Sequence, residues 1–241
     1  MTMFERRPAE QAIERMRGAK ERVIALRNQL DAELHAARAY TNSDLSSEGL
    51  ARKRQELAEA ARSKAAPLIE RERAILDADL GTVARWAGQH RPRMGEDAAA
   101  VQRAGIRWEG TKAKLAAGIP LGQVLASADM ETLLALDAWG PDWLEVAHRQ
   151  ADDPSNPEEL RGSADVAGFR RAVAARMASV ASPEVAWALT AEQDAGVTDG
   201  AVRPWLDHLQ AVGAGSQPAQ DALEVAIASQ LAEQSAAQLA S

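Results

Sequence analysis

The sequence predicts an all-α protein: long antiparallel or extended helices in the N-terminal third, then a bundle of shorter helices. Three observations carry this. No proline interrupts the 58 residues from Ala9 to Ala66, and apolar residues recur there at steps of three and four. Beyond Pro92, apolar stretches are cut by Gly and Pro, with five prolines placed where a first-turn proline would sit. No segment alternates polar and apolar residues for long enough to argue a strand.

The first helix is expected to start near Pro8, whose missing N–H costs nothing in a first turn, and to run through Tyr40. Met16, Ala19, Val23, Leu26, Leu30, Ala37 and Tyr40 follow the spacing of a coiled-coil seam, with Leu34 standing in beside Glu33. Thr41-Asn42-Ser43-Asp44 then supplies four cap or turn formers, which end the helix. A second helix restarts after Leu45, with Ser46 or Ser47 as N-cap and Glu48 favouring the positive end of the dipole. Leu50, Leu57, Ala61, Leu68, Ile75, Leu80 and Val83 mark its apolar stripe as far as Gly88. An interior proline costs about 3 kcal/mol and usually kinks a helix, so Pro67 predicts a bend or break at 65–67.

Shorter helices are expected at about 95–117, 120–127, 129–139, 141–151, 164–181, 183–194, 203–212 and 218–239. Pro120, Pro141, Pro183, Pro204 and Pro218 would open helices, and Ser127, Ser163 and Ser182 would cap them. Residues 152–157, with two prolines, read as a loop. Gly213 to Gln217 reads as a linker. In the last helix Leu223, Ile227 and Leu231 recur at i+4 among Ala, Gln and Ser, a narrow stripe that must dock on something. The expected division is a helical hairpin over 1–91, a bundle over 92–212, and a linker with C-terminal helix over 213–241.

Charge changes character at the first of these boundaries. Residues 1–91 carry 17 Arg and Lys against 14 Asp and Glu, whereas residues 92–241 carry 11 against 21, within a net of −7. Two solvated surfaces account for this most simply; attraction between the front half of one molecule and the back half of another is the sharper reading. There is no cysteine, which excludes disulfides, thiolate metal sites and a Cys nucleophile. No run of about 18 apolar residues predicts a membrane span, and the N-terminus lacks a signal-peptide core. A cytoplasmic location and no membrane partner are expected.

The chemistry-bearing residues point away from catalysis. His35, His90, His148 and His208 are not at metal-ligand spacing from one another. Asp207 beside His208 would point about 100° away from it on a helix. The acidic stretch Asp152 to Glu159 lacks a calcium-loop register, and Gly118 to Gly122 has no following Lys-Ser/Thr for phosphate. Arg52-Lys53-Arg54 would attract a phosphate backbone, yet Glu48, Glu56 and Glu59 lie within pairing distance along the helix. With a net of −7, nucleic acid is a disfavoured partner. Trp139 and Trp143 are expected in the core of an alanine-rich bundle. Neither a cofactor nor a metal is expected, and no catalytic residue is nominated. The candidate functional residues are a helix interface: Met16, Val23, Leu26, Leu30, Leu34, Leu50, Leu57, Leu223, Ile227 and Leu231.

The segment from Asp44 to Leu57, DLSSEGLARKRQEL, followed by an Ala- and Arg-rich helix to about residue 88, resembles openings of long helices in uncharacterised structural-module proteins of tailed bacteriophages of actinobacteria. The resemblance implies a virion or capsid-assembly role, with copies of the chain or other virion proteins as partners and the host cytoplasm or the virion as location. It carries over no catalytic residues. The expectation is therefore a non-enzymatic structural or assembly protein acting through helix-mediated association. The alternative is a cellular helical adaptor or regulator, with nucleic acid as one class of partner.

Overall fold

The computed structural model of the chain describes residues 3–151 and 165–216, together with 226, 227 and 230. Among the described residues all regular structure is helical and there is no strand. The helices are α1 (Met3–Arg17), α2 (Ala19–Ala39), α3 (Ser47–His90), α4 (Ala98–Ala116), α5 (Leu121–Ala126), α6 (Met130–Ala151), α7 (Val166–Val180) and α8 (Pro183–Gly213). Long helices come first and mostly shorter ones follow, as the sequence predicts.

Several expected boundaries move. The first helix is two, α1 and α2, parted at Gly18, whose φ of −91° and ψ of 5° leave the helical region. Pro8 lies inside α1 rather than opening it, with little more than one turn of helix before it. The expected bend or break at 65–67 does not divide α3, which stays helical for 44 residues through Pro67. Pro67 and Ser63 are both exposed, so the Ser63 carbonyl that loses its N–H partner faces solvent. Likewise α6 runs through Pro141 and α8 through Pro204, joining pairs of helices expected to be separate. Pro120 and Pro183 do open α5 and α8.

Caps follow the same mixed pattern. Ser46 caps α3, accepting from the Gly49 N–H at 3.2 Å, and Ser182 caps α8, accepting from Val185 at 3.5 Å. Ser127 instead closes α5, its hydroxyl donating to the Val124 carbonyl; Asp129 caps α6 by accepting from the Thr132 N–H at 2.9 Å. Ser163 and the 152–157 loop lie outside the described residues. Among the described residues two glycines have positive φ, Gly118 and Gly215, and they end α4 and α8 in the same way. In each, the glycine and the residue after it donate to carbonyls of the last turn: Gly118 to Leu115 and Ile119 to Lys114, Gly215 to Val212 and Ser216 to Ala211.

Contacts divide the chain into two compact units, Met1–Arg85 with Asp194–Ser241, and Trp86–Gln193. This differs from the expected division at 91/92 and 212/213. The reason is that the C-terminal part of α8 pairs with α3 rather than with the helices that precede it in sequence. Arg203 donates to Asp77 at 2.9 Å, Arg73 to Asp207 at 2.6 Å and Gln210 to Glu70 at 3.2 Å. Numbers rise on α8 as they fall on α3, one residue for one, so the two helices run antiparallel.

The first unit is built on a seven-residue repeat. Ala9, Met16, Val23, Leu30 and Ala37 are all buried. On the part of α3 in this unit the buried apolar residues are Ala61, Ile69, Leu76 and Val83, while the expected Leu68 is 36% exposed and Ile75 half-buried. The stripe shifts by one residue because α3 packs against α2 on one side and α8 on another. Val202, Trp205, Leu206 and Leu209 of α8 complete the buried set. Arg27 of α2 lies 4.9 Å from the centroid of the Trp205 ring.

The second unit centres on α6, which packs on α4 and α7. Leu133, Ala135, Leu136, Val173 and Met177 are completely buried. Trp139 and Trp143, expected in the core, are half-buried at its edge and pack beside the buried Trp108, with centroids 6.5 and 6.2 Å from it. Gly140 lets the Phe169 ring lie against α6: a Cβ there would stand 2.3 Å from the ring edge. Arg91 joins α6 to α8, donating to Asp137 at 2.8 and 3.0 Å and to Glu192 at 3.1 Å.

Candidate interaction surface

The α2–α3 hairpin holds most of the expected interface residues, and its pairing register decides what each one does. Arg54 donates to the Tyr40 carbonyl at 2.9 Å, Lys64 to Glu33 at 2.6 Å and Arg22 to Glu72 at 2.9 Å, and Arg15 of α1 holds Asp79. Positions fall along α2 and α1 as they rise along α3. The N-terminal helices are thus antiparallel, the first of the two expected arrangements.

Within this hairpin Met16, Val23, Leu30 and Leu34 are buried by the chain's own helices. Leu26, Leu50 and Leu57 are half-buried. Ile227 is 48% exposed, and Leu223 and Leu231 lie outside the described residues. The expected interface therefore splits into an internal seam and an outer remainder. The outer part lines a shallow groove between α2 and α3, walled by Leu26, Gln29, Glu33, Ala61, Lys64 and Leu68. Leu57 lies one turn from Ala61 on the same face of α3, and Leu50 two turns further on. The groove encloses only about 10 Å³, room for no more than about one water.

Sequence reasoning finds Leu26, Leu50 and Leu57 by their spacing. It misses Glu33, Lys64 and Leu68 as groove residues, since only the register brings 33 beside 64. Hydrogen bonds from Lys64, then from Gln29, hold the Glu33 carboxyl below its usual pKa and favour its charged form at the rim of the groove. The basic run beside it is engaged as expected: Arg52 with Glu48 at 3.6 Å and Lys53 with Glu56 at 3.0 Å.

Two hollows elsewhere are smaller than the roughly 300–1,000 Å³ of common ligand sites. One of about 200 Å³ lies between α1 and α8, walled by Ile13, Met16, Arg17, Asp194, Val197 and Thr198. The other, of about 240 Å³, is bordered by Arg107, Thr111, Lys114, Ser127, Asp129 and Thr132. Most of its polar groups are committed to the fold: Thr111 donates to the Arg107 carbonyl, Ser127 to Val124, and Asp129 accepts from Thr132 and pairs with Arg107 at 3.2 Å.

The histidines are scattered. His35 is exposed, and His90 stacks on Trp86 with centroids 4.0 Å apart while its Nδ1–H donates to the Trp86 carbonyl. His208 is buried, and its neighbour Asp207 is turned to Arg73. No group of three or more His, Asp or Glu residues able to hold a metal occurs among the described residues. No described helix is long and apolar enough to cross a membrane. Comparison with protein-family models, with curated proteins and with solved structures returns no match.

Proposed function

We propose that this chain is a non-enzymatic structural protein that works by helix-mediated association with copies of itself or with partner proteins, as a component of tailed-phage virion or capsid assembly. The observation that supports the reading is the outer face of the α2–α3 hairpin. Leu68 is 36% exposed there, and Leu26, Leu50 and Leu57 are half-buried, on helices whose inner seam already fills the core. The resemblance of residues 44–88 to phage structural modules covers the same stretch. The host cytoplasm during assembly, and the virion after it, are the corresponding locations.

Light scattering across a hundredfold range of protein concentration, alone and with the major capsid protein of a candidate phage, tests this. A molar mass that rises with concentration, or a complex with capsid protein, is expected. A constant monomer mass in both settings would overturn it. The alternative reading is a cellular helical adaptor or regulator touching nucleic acid. Affinity for duplex DNA that falls steeply with salt would select that reading instead.

A further inference from the structure

We propose that the hollow between α1 and α8 binds a free α-amino acid with an aliphatic side chain, held by Arg17 and Asp194 at its rim. This goes beyond the assembly reading and does not depend on it.

The interior is apolar because of the two faces that meet there. Ile13, Met16 and Arg17 share one face of α1 at steps of three and four, and Asp194, Val197 and Thr198 share one face of α8 in the same way. Ile13, Met16 and Ala195 are buried, and Val197 is half-buried. Ala195 is too small to close the space, and the Thr198 hydroxyl is taken up by the Asp194 carbonyl at 2.9 Å. The hollow measures about 200 Å³. At roughly 30 Å³ for each water-sized group, that holds a four-carbon side chain with its α-carbon. A drug-sized molecule needs more.

The rim carries one cation and one anion that do not pair with each other. The Asp194 carboxylate has no hydrogen bond or ion pair among the described residues. Arg17 donates to Glu14 through one terminal nitrogen, and its other N–H groups meet no acceptor among those residues. Partial burial raises the pKa of the Asp194 carboxyl, and the Arg17 charge lowers it, so the two groups sense each other across the gap. A carboxylate drawn partly out of water is stabilised by a cation brought against it.

An α-amino acid supplies both complements from a single carbon. Its ammonium answers Asp194, its carboxylate answers the Arg17 guanidinium, and its side chain reaches Ile13 and Met16. A plain hydrocarbon would fill the interior and leave both charges as they are. So would a leucine within a partner protein, whose amine and acid are tied up in peptide bonds.

Saturation-transfer NMR titration of the full-length protein with L-leucine tests the proposal. Three further probes remove one feature each or both: 4-methylpentanoate lacks the amine, 3-methylbutylamine the acid, and N-acetyl-leucinamide both charges. Leucine is expected to bind saturably with a Kd of about 1 mM or tighter, and each analogue at least tenfold more weakly. Asp194→Asn, at an exposed position, should weaken leucine at least tenfold. Ala195→Leu should fill the hollow and abolish binding. Circular dichroism verifies that each variant is folded; if Ala195→Leu is not, Arg17→Gln takes its place and should weaken leucine by a similar factor. No leucine binding to the parent at about 10 mM would overturn the proposal. N-acetyl-leucinamide binding as tightly as leucine would overturn it too, and would make the hollow a seat for a protein side chain. Leucine binding of parental strength in Asp194→Asn would likewise remove it. The assembly reading stands or falls separately, on molar mass.

Discussion

Arg15 of α1 holds both carboxylate oxygens of Asp79 on α3, its Nε lying 3.2 and 3.1 Å from them. Asp79 is 3% exposed, and the pair spans 64 residues of sequence. An ion taken out of water needs its partner, and removing that partner costs more than replacing both by apolar groups.

Arg15→Ala should therefore lower stability by about 2–3 kcal/mol, less than the roughly 3–5 kcal/mol of a fully buried pair because Arg15 itself is half in solvent. Asp79→Leu in the same background should recover most of that loss. Urea titration of the two variants checks the order. A double variant weaker than Arg15→Ala would mean that the carboxylate is not the costly group.

Two glycine substitutions should act with opposite sign. Gly140→Ala places a methyl 2.3 Å from the buried Phe169 ring and should cost about 1–3 kcal/mol, as overpacking does. Gly105→Ala in α4 meets nothing within 4 Å and should stabilise by about 0.5–1 kcal/mol through helix propensity. Thermal melts of both variants give the comparison; equal shifts would contradict the packing described at Gly140.

Pro67→Ala restores an N–H to the middle of α3 without disturbing the exposed side of the helix. A gain of about 1–2 kcal/mol is expected, less than the full proline penalty because proline also stiffens the unfolded chain. A raised melting midpoint with unchanged helicity supports an unbroken α3. A fall in the midpoint would mean that the proline is needed where it is.

Acid should remove one cap selectively. The Thr132 hydroxyl, then its backbone N–H, hold the Asp129 carboxyl below its usual pKa, with Arg107 adding to this. A depressed folded-state pKa gives stability that is complete above the unfolded value of about 3.9 and disappears as pH falls through the folded value. Asp129→Asn keeps a capping side chain but not the titration. The parent should exceed this variant in stability at pH 7, and the gap should close below about pH 4. A pH-independent gap would exclude the charge as its cause.

The hairpin seam is legible in the sequence because a period of seven survives any choice of partner: Met16, Val23, Leu30 and Ala37 are buried, as is Leu34 one turn on from Leu30. Proline is a less faithful guide. Pro67, Pro141 and Pro204 all lie inside helices, since the residue's φ suits a helix and its penalty depends on whether the orphaned carbonyl meets water. The placement of α8 beside α3 is illegible locally, because Arg73 and Asp207 are 134 residues apart and nothing near either one announces the other. The groove lies between these cases. Leu26 and Leu57 follow from spacing, whereas Glu33 beside Lys64 needs the register.

The first unit is interrupted in sequence by the whole of the second, Trp86–Gln193. A ribosome therefore delivers α1, α2 and the first part of α3 long before the α8 residues Val202, Trp205 and Leu206 that join their core. The inserted unit has all its own helices first and can close while the hairpin still waits for its third member. Over that interval the hairpin exposes the apolar faces that α8 later covers, and loop closure across the insertion sets the late step. A chain stalled or truncated before Asp194 would keep a finished second unit and an adhesive first one.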